Sequence, residues 1–385
     1  MKPSVIGYYT TQFGELWEQS LFQLVEEAIH GALTATGLDA GQVDAIFYGN
    51  MLAGVLDNNL HAPAKIAEIV GHHLPVFRIE SACASGGMAF HLANQYLLAG
   101  AAKTVLVVGA EKMTDYSPEQ TTTALAAAAS GEEQEAGLTF PGLYAMMARS
   151  YMETYKYSEE HLAYVSHKNH FHGSLNKKAH FRREVSIESI LKSAYVAHPL
   201  KVLDCSPISD GAAAVVLTTD ELRAAKHKAI QVQATETATD SISLKHRKSL
   251  NEMYSTKLAA EKAFKKANLK PADMNIAELH DCFSIAELFA MEAIGFWKPG
   301  EGGSKIKELS TQFGSGSDLI VNTSGGLKAA GHPVGATGVK QIGELYLQLT
   351  GQAEGRQVKN AQFGLAQNVG GSGGTSVVTI LGATP

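Results

Sequence analysis

The sequence predicts an α/β protein of two similar layered domains with a helical segment inserted into the first, and three observations carry that expectation. One pattern occurs twice at an offset of about 231 residues, with Ala28, Ala32, Gly37-Leu38 and Val43-Asp44 echoed by Ala259, Ala263, Asn268-Leu269 and Met274-Asn275. Nearly unbroken apolar runs, Thr104 to Val108, Ala212 to Leu217 and Thr375 to Leu381, read as strands buried on both faces. Between about Tyr116 and Pro199 the pattern gives way to helical, methionine- and histidine-rich sequence that has no later counterpart. The resulting division is residues 1–225, with the insertion at about 116–199, and residues 226–385.

Taken in order, each repeat opens with an alanine-containing amphipathic helix and a short turn, then an apolar strand. The strands are Ala45-Ile46-Phe47-Tyr48, which runs into Gly49-Asn50, and Ile276-Ala277-Glu278-Leu279, which runs into His280-Asp281. Polar residues at the C-terminal ends of parallel strands are where ligands gather. An extended segment then turns at Ser85-Gly86-Gly87 into a helix carrying Met88, Leu92, Gln95 and Ala99 on one face, and Gly335-Ala336-Thr337-Gly338 opens its counterpart. Gly100 and Gly351 stand where helix-ending glycines belong. Within the insertion, His167, Lys168, His170, His172, Lys177, Lys178, His180, Arg182 and Arg183 follow one another without an acidic residue. Such a run is either a solvated face or a phosphate-binding patch.

Composition narrows the class. Of 385 residues, 45% are hydrophobic and 18% charged, as in a compact globular chain, and the net charge of −6 gives no basic face for nucleic acid. Cys83, Cys205 and Cys282 are too few and too scattered for a disulfide framework or a CxxC metal site, so a reducing compartment is expected. Met1-Lys2-Pro3-Ser4 lacks the features of a signal peptide, no apolar run spans a membrane, and Gly382-Ala383-Thr384-Pro385 is no peroxisomal address. The expectation is a cytoplasmic protein with no membrane contact.

Four stretches carry chemistry. Cys83, in Ser81-Ala82-Cys83-Ala84-Ser85-Gly86-Gly87, falls where a strand turns into a helix, so free N–H groups and the helix dipole are expected to favour its thiolate. Asn322-Thr323-Ser324-Gly325-Gly326 is followed by Gly331-His332-Pro333-Val334-Gly335, which holds an imidazole in a tight turn, free to take a thiol proton. His280-Asp281-Cys282-Phe283 sets an imidazole and a second thiol at a strand end. Gln367-Asn368-Val369-Gly370-Gly371-Ser372-Gly373-Gly374 offers bare backbone N–H groups for an oxyanion hole. Its Gly-x-Ser-x-Gly spelling does not make a serine hydrolase, because a strand-like rather than a helical segment follows Ser372. Cys205 precedes a turn into a buried strand and reads as structural.

Together these blocks, with Asp204-Cys205-Ser206-Pro207-Ile208-Ser209-Asp210-Gly211, resemble those of thiolases over nearly the whole chain. Many thiolases carry Asn-Glu-Ala-Phe near residue 280 and a cysteine in the last block; the His280-Asp281-Cys282-Phe283 spelling is similar to the sterol-carrier-protein type. The resemblance implies a thiolase-like duplicated layered α/β fold and reversible cleavage of a 3-oxoacyl-CoA, or Claisen condensation of acetyl-CoA, through an acyl group on Cys83. It further implies that His332 activates Cys83, that Cys282 moves the α-carbon proton, and that His280 with His332 holds one oxyanion. The N–H groups of Cys83 and Gly370 would hold the other, and Ser206 would touch pantetheine. Coenzyme A is then a substrate and no cofactor or metal is expected. A homodimer or tetramer, and a small zinc- and OB-fold partner protein, are the implied associations. The alternatives are a ketoacyl synthase and a non-catalytic or partner-dependent acyl-CoA-binding relative; Cys83, Cys282 and His332 together argue against an inactive site.

Overall fold

The computed structural model describes residues 2–383; Met1, Thr384 and Pro385, on which the leader and address expectations partly rest, lie outside the described residues. The first half contributes strands β1 (Ser4–Thr10), β2 (Ala45–Gly49), β3 (Val76–Ile79) and β4 (Thr104–Glu111), a small hairpin of β5 (Tyr195–Ala197) and β6 (Leu200–Lys201), and β7 (Gly211–Thr218). The second half contributes β8 (Ile230–Thr239), β9 (Ile276–Glu278), β10 (Ile320–Val321), β11 (Phe363–Gly370) and β12 (Thr375–Ala383).

Strand order makes the duplication explicit. The first half runs β1-β7-β4-β2-β3 and the second β8-β12-β11-β9-β10, and each step is parallel or antiparallel in the same places. The expected pair of sheets is joined into one ten-stranded sheet, but only through two residue pairs of β1 and β8, Ser4 with Gln231 and Val5 with Ile230. So short a seam lets the halves fold face to face. Strands β4 and β7 are buried at every residue, as their unbroken apolar sequence requires.

Two helices, Ser85–Leu98 and Val334–Leu349, lie between the halves and touch strands of both. Phe90, Leu97, Val339, Ile342 and Leu345 share one core with Val107, Val215, Ala366 and Leu381. Outside, helix Leu21–Thr36 covers the first half and helix Tyr254–Ala267 the second. The first of these outer helices starts where Ser20 and Gln23 exchange a capping box and stops at Gly37, whose left-handed φ of 62° needs no Cβ. The insertion is helical as expected: Pro118–Ala126, Gly131–Glu135, Phe140–Tyr155, Glu159–Ser174 and Ile187–Lys192. Among the described residues no helix is long and apolar enough to cross a membrane.

The basic run of the insertion is neither a solvated face nor a single patch. Helix Glu159–Ser174 is wedged among its neighbours and buried on more than one side, so Lys168 and His172 on one face and His170 on the opposite face are all enclosed, while Lys177, Lys178, Arg182 and Arg183, beyond the helix, stay outside. Lys168 pairs with the buried Glu287, and His172 Nδ1 bonds the Asn322 carbonyl at 2.9 Å. Burial lowers both His170 and His172 to about 3, so they stay neutral.

The two central helices meet at their N-termini, backbone to backbone. A Cβ on Gly86 would lie 2.6 Å from the Gly335 carbonyl oxygen, and one on Gly335 would lie 2.6 Å from that of Ala110 and 2.7 Å from that of Gly49. A methyl at Gly338 would overlap the Gly87 nitrogen and the Asn368 amide. Gly338→Ala is therefore expected to cost about 1–3 kcal/mol by overpacking, while Gly355→Ala, where a Cβ meets open space, should stay within about 0.5 kcal/mol. Urea unfolding of the two variants tests this, and equal midpoints would refute it.

Candidate active site

Cys83 sits between the end of β3 and the first residue of helix Ser85–Leu98. The turn that aims it is strained: Ala82 has a φ of 50°, in the left-handed region that costs a non-glycine residue about 1–3 kcal/mol. Ser85 holds the turn, since its hydroxyl accepts from Ser81 N at 2.9 Å and donates to Ala82 O at 2.6 Å. The expected thiolate is not the resting form. Burial pushes the Cys83 thiol up to about 12; the N–H groups of Gly371 and Cys83 bond the sulfur and pull the other way, but the Glu111 charge adds to the rise. Desolvation outweighs the helix terminus, so a base is required.

Two histidines supply complementary nitrogens. One ring nitrogen each of His280 and His332 and the Cys83 sulfur lie within 4.8 Å of one another, and the two rings meet edge to face with centroids 4.9 Å apart. Both Nε2 atoms are buried without a hydrogen-bond partner among the described residues. Their other nitrogens assign the tautomers. Asn368 Oδ1 accepts from Gly87 N at 3.0 Å, which leaves its Nδ2 to donate to Cys83 O at 3.0 Å and to His280 Nδ1 at 3.1 Å. His280 Nδ1 is thus the acceptor, and Nε2 carries the proton. The Thr337 hydroxyl donates to Pro333 O at 3.1 Å and so accepts from His332 Nδ1 at 2.7 Å, which leaves the His332 Nε2 lone pair free. Burial lowers His332 to about 3 and, with His332 as a further cause, lowers His280 well below its usual value.

A Cys-His-His trio at this spacing also has the composition of a zinc site. The His280 tautomer opposes that use, because a metal would need the lone pair at the nitrogen that bears the proton. The arrangement instead offers a base, a hydrogen-bond donor and a sulfur converging on one point.

Cys282 closes the group from β9's side. It is buried and lines, with Cys83, His332 and Ser206, a cavity of about 170 Å³ whose walls include Met113, Leu125, Phe140 and Val334. Burial raises its thiol well above the usual range, and the Cys83 charge adds to that. Ser206 donates its N–H to Cys282 O at 2.9 Å, tying the two walls together. Cys205 also reaches the wall, and its thiol bonds Lys201 O at 3.3 Å.

Gly370 ends β11 against Ser81 and Ala82, yet the N–H bonded to the Cys83 sulfur belongs to Gly371. Ser372 is followed by strand β12, as the rejection of a hydrolase requires. Asn322-Thr323-Ser324 lies beneath the site as a brace: Asn322 Nδ2 bonds Glu287 at 2.8 Å and Ser324 Oγ bonds Glu278. Sequence reasoning gave no role to Asn368, Thr337 and Tyr144, and included Gly371 only within its glycine block. Asn368 had a signal, since it stands in the glycine block where many thiolases carry cysteine; Tyr144, inside the insertion, had none.

In the free enzyme both imidazoles are expected to stay neutral between about pH 5 and 8, with His332 protonated at Nδ1 and His280 at Nε2. Long-range ¹H–¹⁵N correlation on histidine-labelled protein reads this directly. Asn368→Asp, whose carboxylate only accepts, should move the His280 proton to Nδ1; identical tautomers in the parent protein would overturn the assignment.

Comparison with known proteins bears on the fold and the family. Residues 4–221 match the family model described as thiolase, N-terminal domain, and residues 234–383 match the thiolase C-terminal domain-like model. The chain is 43% identical over 380 residues to an acetyl-CoA acetyltransferase of Methanothermobacter thermautotrophicus, covering 98% of each. It is 35% identical to human sterol carrier protein 2, covering 98% of this chain and 71% of that one. Among solved structures, the Ltp2-ChsH2(DUF35) aldolase superposes with a TM-score of 0.85 at 22% identity, over 99% of this chain and 98% of the other. With both halves matched and the duplicated sheet in place, the chain belongs to the thiolase family.

Proposed function

We propose that this protein interconverts short 3-oxoacyl-CoA and coenzyme A with acetyl-CoA and acyl-CoA, by way of an acyl group on Cys83. The observation that carries this reading is the pair of neutral histidines in opposite tautomers against one thiol. As the sulfur attacks the 3-oxo carbon, its proton passes to His332 Nε2, so the thiolate never has to exist free in a site that holds Cys83 near 12. The bond between the α- and 3-carbons breaks, leaving acyl-Cys83 and the enolate of acetyl-CoA. His280 Nε2–H and the imidazolium of His332 hold the enolate oxygen, and the N–H groups of Cys83 and the Gly370-Gly371 turn hold the oxygen on the attacked carbon. Cys282 gives its proton to the enolate carbon and recovers one from the incoming coenzyme A thiol, which takes the acyl group as the Cys83–acyl bond breaks, and the leaving Cys83 sulfur regains its proton from His332. Condensation runs these steps backward, and Ser206 lines the path of pantetheine.

Short substrates suit a cavity of about 170 Å³ lined by Met113, Leu125 and Phe140, in keeping with the acetyltransferase name of the Methanothermobacter relative. A cytoplasmic setting suits three unpaired cysteines. Pairing of two copies is part of the same reading: β3 is an edge strand, and Phe77 on it and Leu92 and Leu98 on helix Ser85–Leu98, which packs on that strand, are 40%, 41% and 47% exposed.

Two variants separate the roles. Cys83→Ala should form no acyl adduct on mixing with acetyl-CoA, whereas Cys282→Ala should form it and lose condensation and cleavage by roughly 100- to 10,000-fold. Peptide mass spectrometry and turnover assays decide; an adduct on Cys205, or full turnover in Cys282→Ala, would refute the assignments. Sedimentation at micromolar concentration should show a dimer, and a fully active monomer would refute the pairing.

A further inference from the structure

Tyr144 is the largest polar side chain on the cavity wall that the steps above leave without a role. It lies in helix Phe140–Tyr155 of the insertion and is 0% exposed, with its ring 4.6 Å from that of Phe283. A buried phenol oxygen needs hydrogen-bond partners, and both partners of this one belong to the site. The hydroxyl donates to Gly371 O at 3.1 Å and shares the cavity wall with the Cys282 thiol, with which it interacts.

One O–H proton thus faces two acceptors. While Cys282 is a thiol, its S–H points to the phenol oxygen and the phenol donates to Gly371. When Cys282 has given its proton to the enolate, the sulfur becomes the stronger acceptor, and the phenol can turn to it. Of the other groups that act on this sulfur, Cys83 and Asp281 oppose its charge and the Phe283 N–H favours it. Arg247 acts on the Tyr144 side, where its guanidinium bonds Ser372 O at 2.6 Å, and His332 completes the cavity.

We propose that Tyr144 is a positioning residue of the proton-transfer step, its phenol aiming the Cys282 thiol and then donating to the thiolate. The proposal rests on Cys282 being the acid/base of the reaction. No atom is exchanged between the two side chains; the phenol keeps its proton throughout.

The test is deuterium uptake at the α-carbon of acetyl-CoA in D₂O, followed against pH for the parent protein, Tyr144→Phe and Cys282→Ala. Tyr144→Phe keeps the ring packed on Phe283 and should acylate Cys83 within a few-fold of the parent rate. Its exchange should fall roughly 10- to 100-fold, and the rising limb of its pH profile should move to higher pH, because a thiolate without its donor forms less readily. A purely structural role would lower the amplitude and leave the limb in place, and that result, or an equal loss of acylation, would overturn the proposal. Cys282→Ala separates the two failures. If that variant still exchanges, the reading of Cys282 falls; if it is inactive while the Tyr144→Phe limb is unmoved, only the role of Tyr144 falls.

Discussion

The arrangement depends on two helix N-termini being pressed together without side chains between them. Gly86 and Gly87 on one helix and Gly335 and Gly338 on the other leave no room for a Cβ, so backbone meets backbone. Cys83 lies two residues before the first helix and His332 two before the second, which brings a thiol from one half of the chain against an imidazole from the other. Glu111 secures the junction from below: its carboxylate accepts from Met51, Leu52 and Gly335 N–H at 3.0 Å, and burial holds it up at about 7. Asn368 secures it from the side by bonding Gly87, Cys83 and His280 together.

Burial then sets the chemistry. A thiol held near 12 and an imidazole held near 3 form a neutral pair at rest, which costs far less in a dry cavity than a thiolate and an imidazolium would. Charge is needed only while substrate occupies the site, where preformed N–H groups receive it. The choice between base and donor is made one bond further out, by Thr337 for His332 and Asn368 for His280. Identical side chains acquire opposite roles from neighbours that touch only their far nitrogens.

Much of this was legible in the sequence because it was written as pattern. The repeat offset foretold two halves whose strands follow one order, and Gly331 beside His332 foretold a tight turn, whereas at Cys83 the turn residue is Ala82 and the nearby glycines lie inside the helix. Quantities set by three-dimensional environment were not legible. The helix-terminal position of Cys83 argued for a thiolate, but its depth decided for the thiol. The run from His167 to Arg183 looked uniform, yet the helix to Ser174 is enclosed by its neighbours and buries Lys168, His170 and His172, whereas Arg182 and Arg183 follow it on the surface. Tyr144 stands far along the chain from the cysteine it touches, so no local motif marks it.

The division of labour between halves also bears on the life of the protein before it is complete. Cys83 leaves the ribosome long before His332, Asn368 and the Gly371 N–H that later surrounds it. A half-made chain therefore carries a cysteine without the imidazole and the N–H groups that later surround it. On the proposed reading it meets the acyl thioesters of the cell as an ordinary thiol, and becomes an acyl acceptor only when the last strands close over it.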